Sequence, residues 1–183
     1  MSKSIKSTKF EEQRDIDVLK LCQERKLSVS SVKYSRGHDG DCMNCNLKVG
    51  TKIVGTAWDD SWGGYLDIKD KSSTVSVAEF EKLVAEVVAL SPSYTLTDNS
   101  EFTLDWCIDS VIDVMINHEV VRKDCAKKTV VMGTMVVSDN ARKDTFIYSV
   151  KYDQSANLIK QIEKQMSDKG YVQYEILNDR LVA

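Results

Sequence analysis

Proline is nearly missing from this chain, with one in 183 residues, and glycine is sparse at eight. Those counts exclude a collagen-like, linker-rich or low-complexity protein. Histidine occurs only at His38 and His118, so imidazole bases and metal ligands are scarce. No Gly-x-x-x-x-Gly-Lys-Ser/Thr, Gly-x-Gly-x-x-Gly or Gly-x-Ser-x-Gly occurs. Phosphate cradling, dinucleotide binding and the strained serine nucleophile lose their usual markers. No apolar run nears the roughly 20 residues that span a bilayer. Neither sign of charge dominates, with 25 basic and 28 acidic residues and a net charge of −3. That balance gives no footprint for nucleic acid, whose backbone needs a concentrated basic surface. The densest basic run, Arg122 to Lys128, is broken by Asp124 and reads as the solvated end of a helix.

The five cysteines form an odd set, too sparse for a secreted disulfide scaffold, and reduced thiols account for them. The basic, polar first residues lead into Phe10-Glu11-Glu12-Gln13, without the apolar core of a signal peptide. A cytoplasmic location is the resulting expectation. Hydrophobic residues at 42% and charged residues at 29% are the balance of a globular chain with a real core. At this length folding buries roughly 70% of the unfolded surface, without help from metals or disulfides.

Hydrophobic periodicity predicts a helix over 9–27, with Ile16 and Leu19 on its apolar stripe. Period two then takes over. Strands are expected at Val29–Tyr34, Cys42–Val49 and Lys52–Trp58, and a short one at Tyr65–Ile68. Gly50-Thr51 makes a tight hairpin between the second and third. Ser76-Val-Ala-Glu79 is a capping box, with Val75 and Phe80 at staple spacing, and Ser91-Pro92 ends that helix. A further helix from about Asp98 to Ala126 carries Leu104, Ile108, Val111 and Met115 on its buried face. Strands Thr129–Val137 and Phe146–Tyr152, a helix from Ser155 to Lys169 stopped by Gly170, and a strand Tyr171–Leu177 complete the order. Strands in blocks point to an α+β fold. Its mainly antiparallel sheet, an N-terminal meander plus a C-terminal ββαβ, packs with three to four helices. Residues 1–27 read as a helical extension, and 28–183 as a single α+β domain.

The densest chemistry lies in Trp58-Asp59-Asp60-Ser61-Trp62-Gly63-Gly64-Tyr65, where two carboxylates and three aromatic rings meet a glycine pair. Such side chains on a scaffolded loop belong to binding sites more often than to turns. Alternation along the strand can take Trp58 and Tyr65 into the core, and leaves core or surface open for both. Asp59, Asp60, Trp62, Gly63 and Gly64 remain as the expected binding surface. Asp39 and Asp41 could meet Asp59 and Asp60 at one end of the meander, as acid/base groups or oxygen ligands for a cation. His38-x-x-x-Cys42-x-x-Cys45 has half of a zinc pattern. No second half occurs, and Cys42 and Cys45 point to opposite faces of a strand. Cys107, His118 and Cys125 share a helical face but are strung over too long a distance, about 16 Å between the first two alone. Neither catalytic residues, a resident metal nor a cofactor is expected.

The strands through Asn46-Leu-Lys-Val-Gly-Thr-Lys-Ile-Val-Gly-Thr-Ala-Trp58, the turn Asp59-Asp60-Ser61-Trp62-Gly63-Gly64 and the late Ile176-Leu177-Asn178-Asp179 occur in that order. In this the chain resembles a group of small bacterial and phage proteins of unassigned function. They carry a lysine-rich hairpin, an Asn/Asp-Asp-Gly-x-Gly-Gly turn and a C-terminal Leu-Asn-Asp. Ser61 and Trp62 stand where the group has Gly and a polar residue. The resemblance runs from about residue 28 to the end. It implies a phage or mobile-element setting and brings no activity with it. The expectation is a non-enzymatic interaction module that binds and modulates, or inhibits, a host protein or defence complex, with self-association as a further partnership. The alternative is a metal-assisted hydrolase or small-ligand-binding protein using Asp39, Asp41, Asp59 and Asp60.

Overall fold

The computed structural model describes residues 13–36, 40–61, 66–71, 76–91, 104–137 and 140–181. They form an α+β protein with two antiparallel sheets. The chain separates into two compact units, one within Glu11–Glu119 and one within Val120–Ala183.

The first unit opens with α1 (Gln13–Glu24) and continues as a meander, β1 (Leu27–Arg36), β2 (Asp41–Val49), β3 (Lys52–Asp59) and β4 (Asp67–Asp70). The strands are hydrogen-bonded in sequence order. Gly50, at φ +60°, opens the two-residue turn between β2 and β3, a geometry that favours glycine. The fourth strand begins two residues later than its apolar pattern implies, because its pairing with β3 runs from Asp67 opposite Trp58 to Asp70 opposite Gly55.

Helix α2 (Val77–Leu90) starts where the capping box is expected. The Ser76 hydroxyl accepts from the Glu79 amide at 3.4 Å, and the Asp70 carboxylate accepts from the Val77 amide at 2.7 Å. The staple partner Val75 lies outside the described residues. Val77, Phe80, Val84, Val87 and Val88 are buried at helical spacing, and the helix contacts all four strands. From α1, Val18, Leu19 and Cys22 are buried as well, and α1 packs on β1 and α2. The inner face of the sheet supplies Leu27, Val29, Met43, Cys45, Leu47, Val54 and Ala57. Helix α3 (Leu104–Cys125) buries Cys107, Val111, Ile112, Val114, Met115 and Ile116, so its burial exceeds a single stripe.

Two β-bulges decide which face each side chain takes. β1 shifts register between Ser30 and Lys33, and the β2–β3 pair shifts between Leu47 and Lys48. Val54 is the extra residue in β3: Leu47 faces Gly55 and Lys48 faces Ile53. An added residue exchanges the faces of everything beyond it. Trp58 therefore turns outward and is 40% exposed, which decides for it the choice that alternation leaves open. Asp59 takes the inner face instead. The outer face presents rows read from the register: Lys33, Asn44, Trp58 and Asp67 in one, Ser30, Asn46, Thr56 and Lys69 in the next.

In the second unit β5 (Thr129–Val137) lies between β6 (Asn140–Tyr148) and β7 (Gln173–Ile176). β6 starts at Asn140 rather than Phe146, since pairing with β5 is unbroken from Asn140 opposite Val137 to Tyr148 opposite Thr129. One face packs Val131 and Phe146 against Leu158, Ile162 and Met166 of α4 (Ala156–Asp168). Val121 and Cys125 from the end of α3 cluster with Val130, Met132 and Leu177. Helix α4 begins on Ser155, whose hydroxyl accepts from Leu158 at 3.3 Å. It ends in a Schellman motif, with Gly170 at φ +79° and the Tyr171 amide reaching the Met166 carbonyl at 2.9 Å. The last strand gives way at Leu177 to a short helix, α5 (Leu177–Leu181), that local pattern did not indicate.

That helix explains the Leu-Asn-Asp signature. The Asn178 side chain is buried, and its Oδ1 accepts from the Val130 amide at 2.8 Å. Its Nδ2 donates to the carbonyls of Cys125 at 2.9 Å and Lys128 at 2.7 Å. One amide thus closes the end of α3 and the start of β5 together, satisfying groups that a helix terminus leaves orphaned. Leu177 is fully buried, and Asp179 accepts from the Tyr152 hydroxyl at 2.8 Å. In this chain Leu177, Asn178 and Asp179 each hold the fold together.

Candidate functional site

The Trp58–Ser61 corner is built by the sheet and held by its own carboxylates. The Asp59 side chain accepts from the Ser61 amide at 2.8 Å, an Asx turn. Ser61 sits at φ +67°, the left-handed region that costs a non-glycine residue about 1 kcal/mol. The Asx bond offsets part of that cost. The Cys42 thiol on β2 donates to the Asp60 carbonyl at 3.4 Å, tying the corner to its neighbouring strand. On the far side of the turn, the Leu66 amide donates to Asp109 of α3 at 3.0 Å. Ser61 and Leu66 are thus each held by a carboxylate, Asp59 and Asp109.

Of the residues expected from sequence, Trp58 and Asp60 are exposed, and Asp59 is half-buried. Trp62, Gly63, Gly64 and Tyr65 lie outside the described residues, as do His38 and Asp39. Asp41 opens β2 on the inner side, opposite Arg36. Gly40 lies beside Ser61: a Cβ there would stand 3.6 Å from the Ser61 Cβ, so the two loop ends do meet. Cys45 is buried and Cys42 faces outward, so their side chains do not converge. Among the described residues no three His, Cys, Asp or Glu side chains are arranged to hold an ion.

Residues that the sequence reading passed over complete the inner end of the meander. Asp113 of α3, one turn beyond Asp109, comes close enough to Asp59 for their charges to interact. Partial burial, with the like charges of Asp109 and Asp59, lifts the Asp113 carboxyl to about 6. Tyr34 joins from β1. Burial, then Asp113, Cys45 and Asp41, raise its phenol above its ordinary value. A signal for this group existed. Asp109 and Asp113 are spaced i, i+4 within an apolar helix, an arrangement that repels unless something else requires it.

Two buried thiols of this unit, Cys22 and Cys45, are not nucleophiles. Burial pushes Cys22 up to about 12 and Cys45 to about 11, although the Ala57 backbone bond pulls Cys45 partly back. Both are protonated at neutral pH, whereas a reactive cysteine is a thiolate.

The Asp113 shift has a measurable consequence. An unfolded aspartate titrates near 3.9. Between about pH 4 and pH 6 the folded state holds a proton that the unfolded chain has lost, so stability falls as pH rises through this window. Asp113→Asn removes that loss. It is expected to stabilise the protein at pH 7 by a few tenths to about 1 kcal/mol, limited by solvent screening around a carboxyl that is only partly buried, and to give no gain at pH 4. Urea unfolding at the two pH values tests this; an equal gain at both would show that charge is not the cause.

The chain matches no protein-family model, no curated protein and no solved structure. No helix among the described residues is long and apolar enough to cross a membrane.

Proposed function

We propose that this protein is a non-enzymatic interaction module, a phage or mobile-element accessory protein that binds and modulates, or inhibits, a host protein or defence complex. Its gripping surface is the corner beginning at Trp58, Asp59 and Asp60 and continuing through Trp62, Gly63 and Gly64. One observation carries the reading: an exposed Trp58 leads to Ser61, held by Asp59, while Leu66 is held by Asp109. Side chains beside backbone that is already held lose less conformational entropy on binding, and tryptophan is a frequent interface anchor. The carboxylates favour this reading over chemistry, because two of them accept backbone amides and serve the scaffold. A bacterial lysate passed over tagged wild type and a Trp58→Ala/Asp60→Ala variant tests it. A specific partner is expected on the wild type and at least about tenfold less on the variant; identical capture, or none, defeats the corner as an interface.

A second reading, a metal-assisted hydrolase or small-ligand-binding protein using Asp39, Asp41, Asp59 and Asp60, draws support from the repulsion at Asp113. A cation bound there would cancel that repulsion. Mg²⁺ or Mn²⁺ would then raise the unfolding midpoint at pH 7 more than at pH 4, and an unchanged midpoint removes the reading.

A further inference from the structure

The outer face of the meander runs on from the corner at Trp58, and its composition differs from that of the whole chain. Lys33, Lys48 and Lys69 project from it by register, and Lys71 reaches it through a 3.4 Å bond to the Asn46 side chain. Among the described residues Asp67 is the carboxylate that register places on this face, with exposed Asp60 at its corner, so the four lysines leave a locally positive sheet on a protein of net charge −3. Two large apolar side chains interrupt the lysines, Ile53 at 39% and Trp58 at 40% exposure. At about 3.3 Å per residue they stand roughly 15 Å apart along β3.

We infer that this face receives an acidic segment of a partner protein, its carboxylates meeting the lysines and its apolar side chains resting on Trp58 and Ile53. The inference rests on the interaction-module reading and assigns the chemistry of the partner. Charge complementarity selects an anionic occupant, because opposite potentials steer encounter and reject like-charged partners. The same face suits a single nucleic-acid strand poorly. A strand stacks successive bases on several rings and needs phosphate contacts along its length. Among the described residues Trp58 is the exposed ring on this face, and Asp41 and Asp59 stand at the end of the sheet where it lies.

The test is fluorescence anisotropy with the full chain and three labelled probes. These are a peptide of mixed Asp, Glu, Leu and Phe, the same peptide with Asn and Gln for its acids, and an oligothymidine of about 20 nucleotides. The acidic peptide should bind, at least about tenfold more tightly than its neutral counterpart, and weaken about tenfold between 50 and 300 mM salt as screening grows. Lys48→Glu/Lys69→Glu should weaken it at least tenfold with an unchanged thermal midpoint. Lys160→Glu, an exposed change on α4, should leave it unaltered. Equal binding of the neutral peptide, absence of peptide binding, or tighter binding of the oligothymidine overturns the inference. The lysate experiment separates the two proposals. A partner lost with Trp58→Ala/Asp60→Ala but kept by Lys48→Glu/Lys69→Glu leaves the module standing and removes its acidic ligand.

Discussion

Asn178→Ala is expected to destabilise the second unit by about 3–4 kcal/mol, the largest effect of any polar substitution considered. The buried amide makes three bonds, to the Val130 amide and to the Cys125 and Lys128 carbonyls. Alanine leaves those backbone groups without the partner that satisfies them, and a buried unsatisfied group costs about 1–3 kcal/mol. The three losses belong to one network, so they do not simply add. Asn178→Asp discriminates the cause. It keeps an acceptor for Val130 but turns a carboxylate toward two carbonyl oxygens, and should be no better tolerated than alanine. Urea unfolding followed by circular dichroism measures both; a loss under 1 kcal/mol for alanine would remove the structural account of the Leu-Asn-Asp signature.

Gly55→Ala should cost about 2–3 kcal/mol, through crowding rather than a lost bond. A Cβ at Gly55 would run into the Val77 side chain and stand 2.7 Å from the Lys69 carbonyl oxygen. The first neighbour is the start of α2 and the second is the backbone of the paired strand, so neither can yield without moving an element. Overpacking of this kind typically costs 1–3 kcal/mol. The double change Gly55→Ala/Val77→Ala relieves only the helix contact. It should recover part of the loss, and the double-mutant cycle reports how much of the strain passes through α2. Additive losses would show that Val77 is not the obstacle. Because α2 crosses the face opposite Trp58, a folded Gly55→Ala protein should keep its outer-face binding.

Much of the architecture was legible in local chemistry. Ser76 and Ser155 cap helices where hydroxyl spacing places them, and Gly170 ends α4 in the left-handed conformation glycine favours. The N-terminal meander follows from period-two runs separated by turn residues. The short α5 was not legible, because Ile176-Leu177-Asn178 continues a strand pattern. Its helical turn depends on Asn178 finding partners some 50 residues earlier in the chain.

The candidate site divides along the same line. Composition and spacing by themselves determined an α+β chain with its strands in blocks, its helix caps, and a corner rich in carboxylates and tryptophan. Tertiary structure alone decided which way that corner faces. One added residue at Val54 inverts the side-chain alternation of β3 beyond it, sending Trp58 outward and Asp59 inward. Another in β1 turns Tyr34 toward the inner face, and the fold brings Asp109 and Asp113 there from α3. Alternation is a local rule with a period of two, and a bulge shows itself only when a neighbouring strand sets the register.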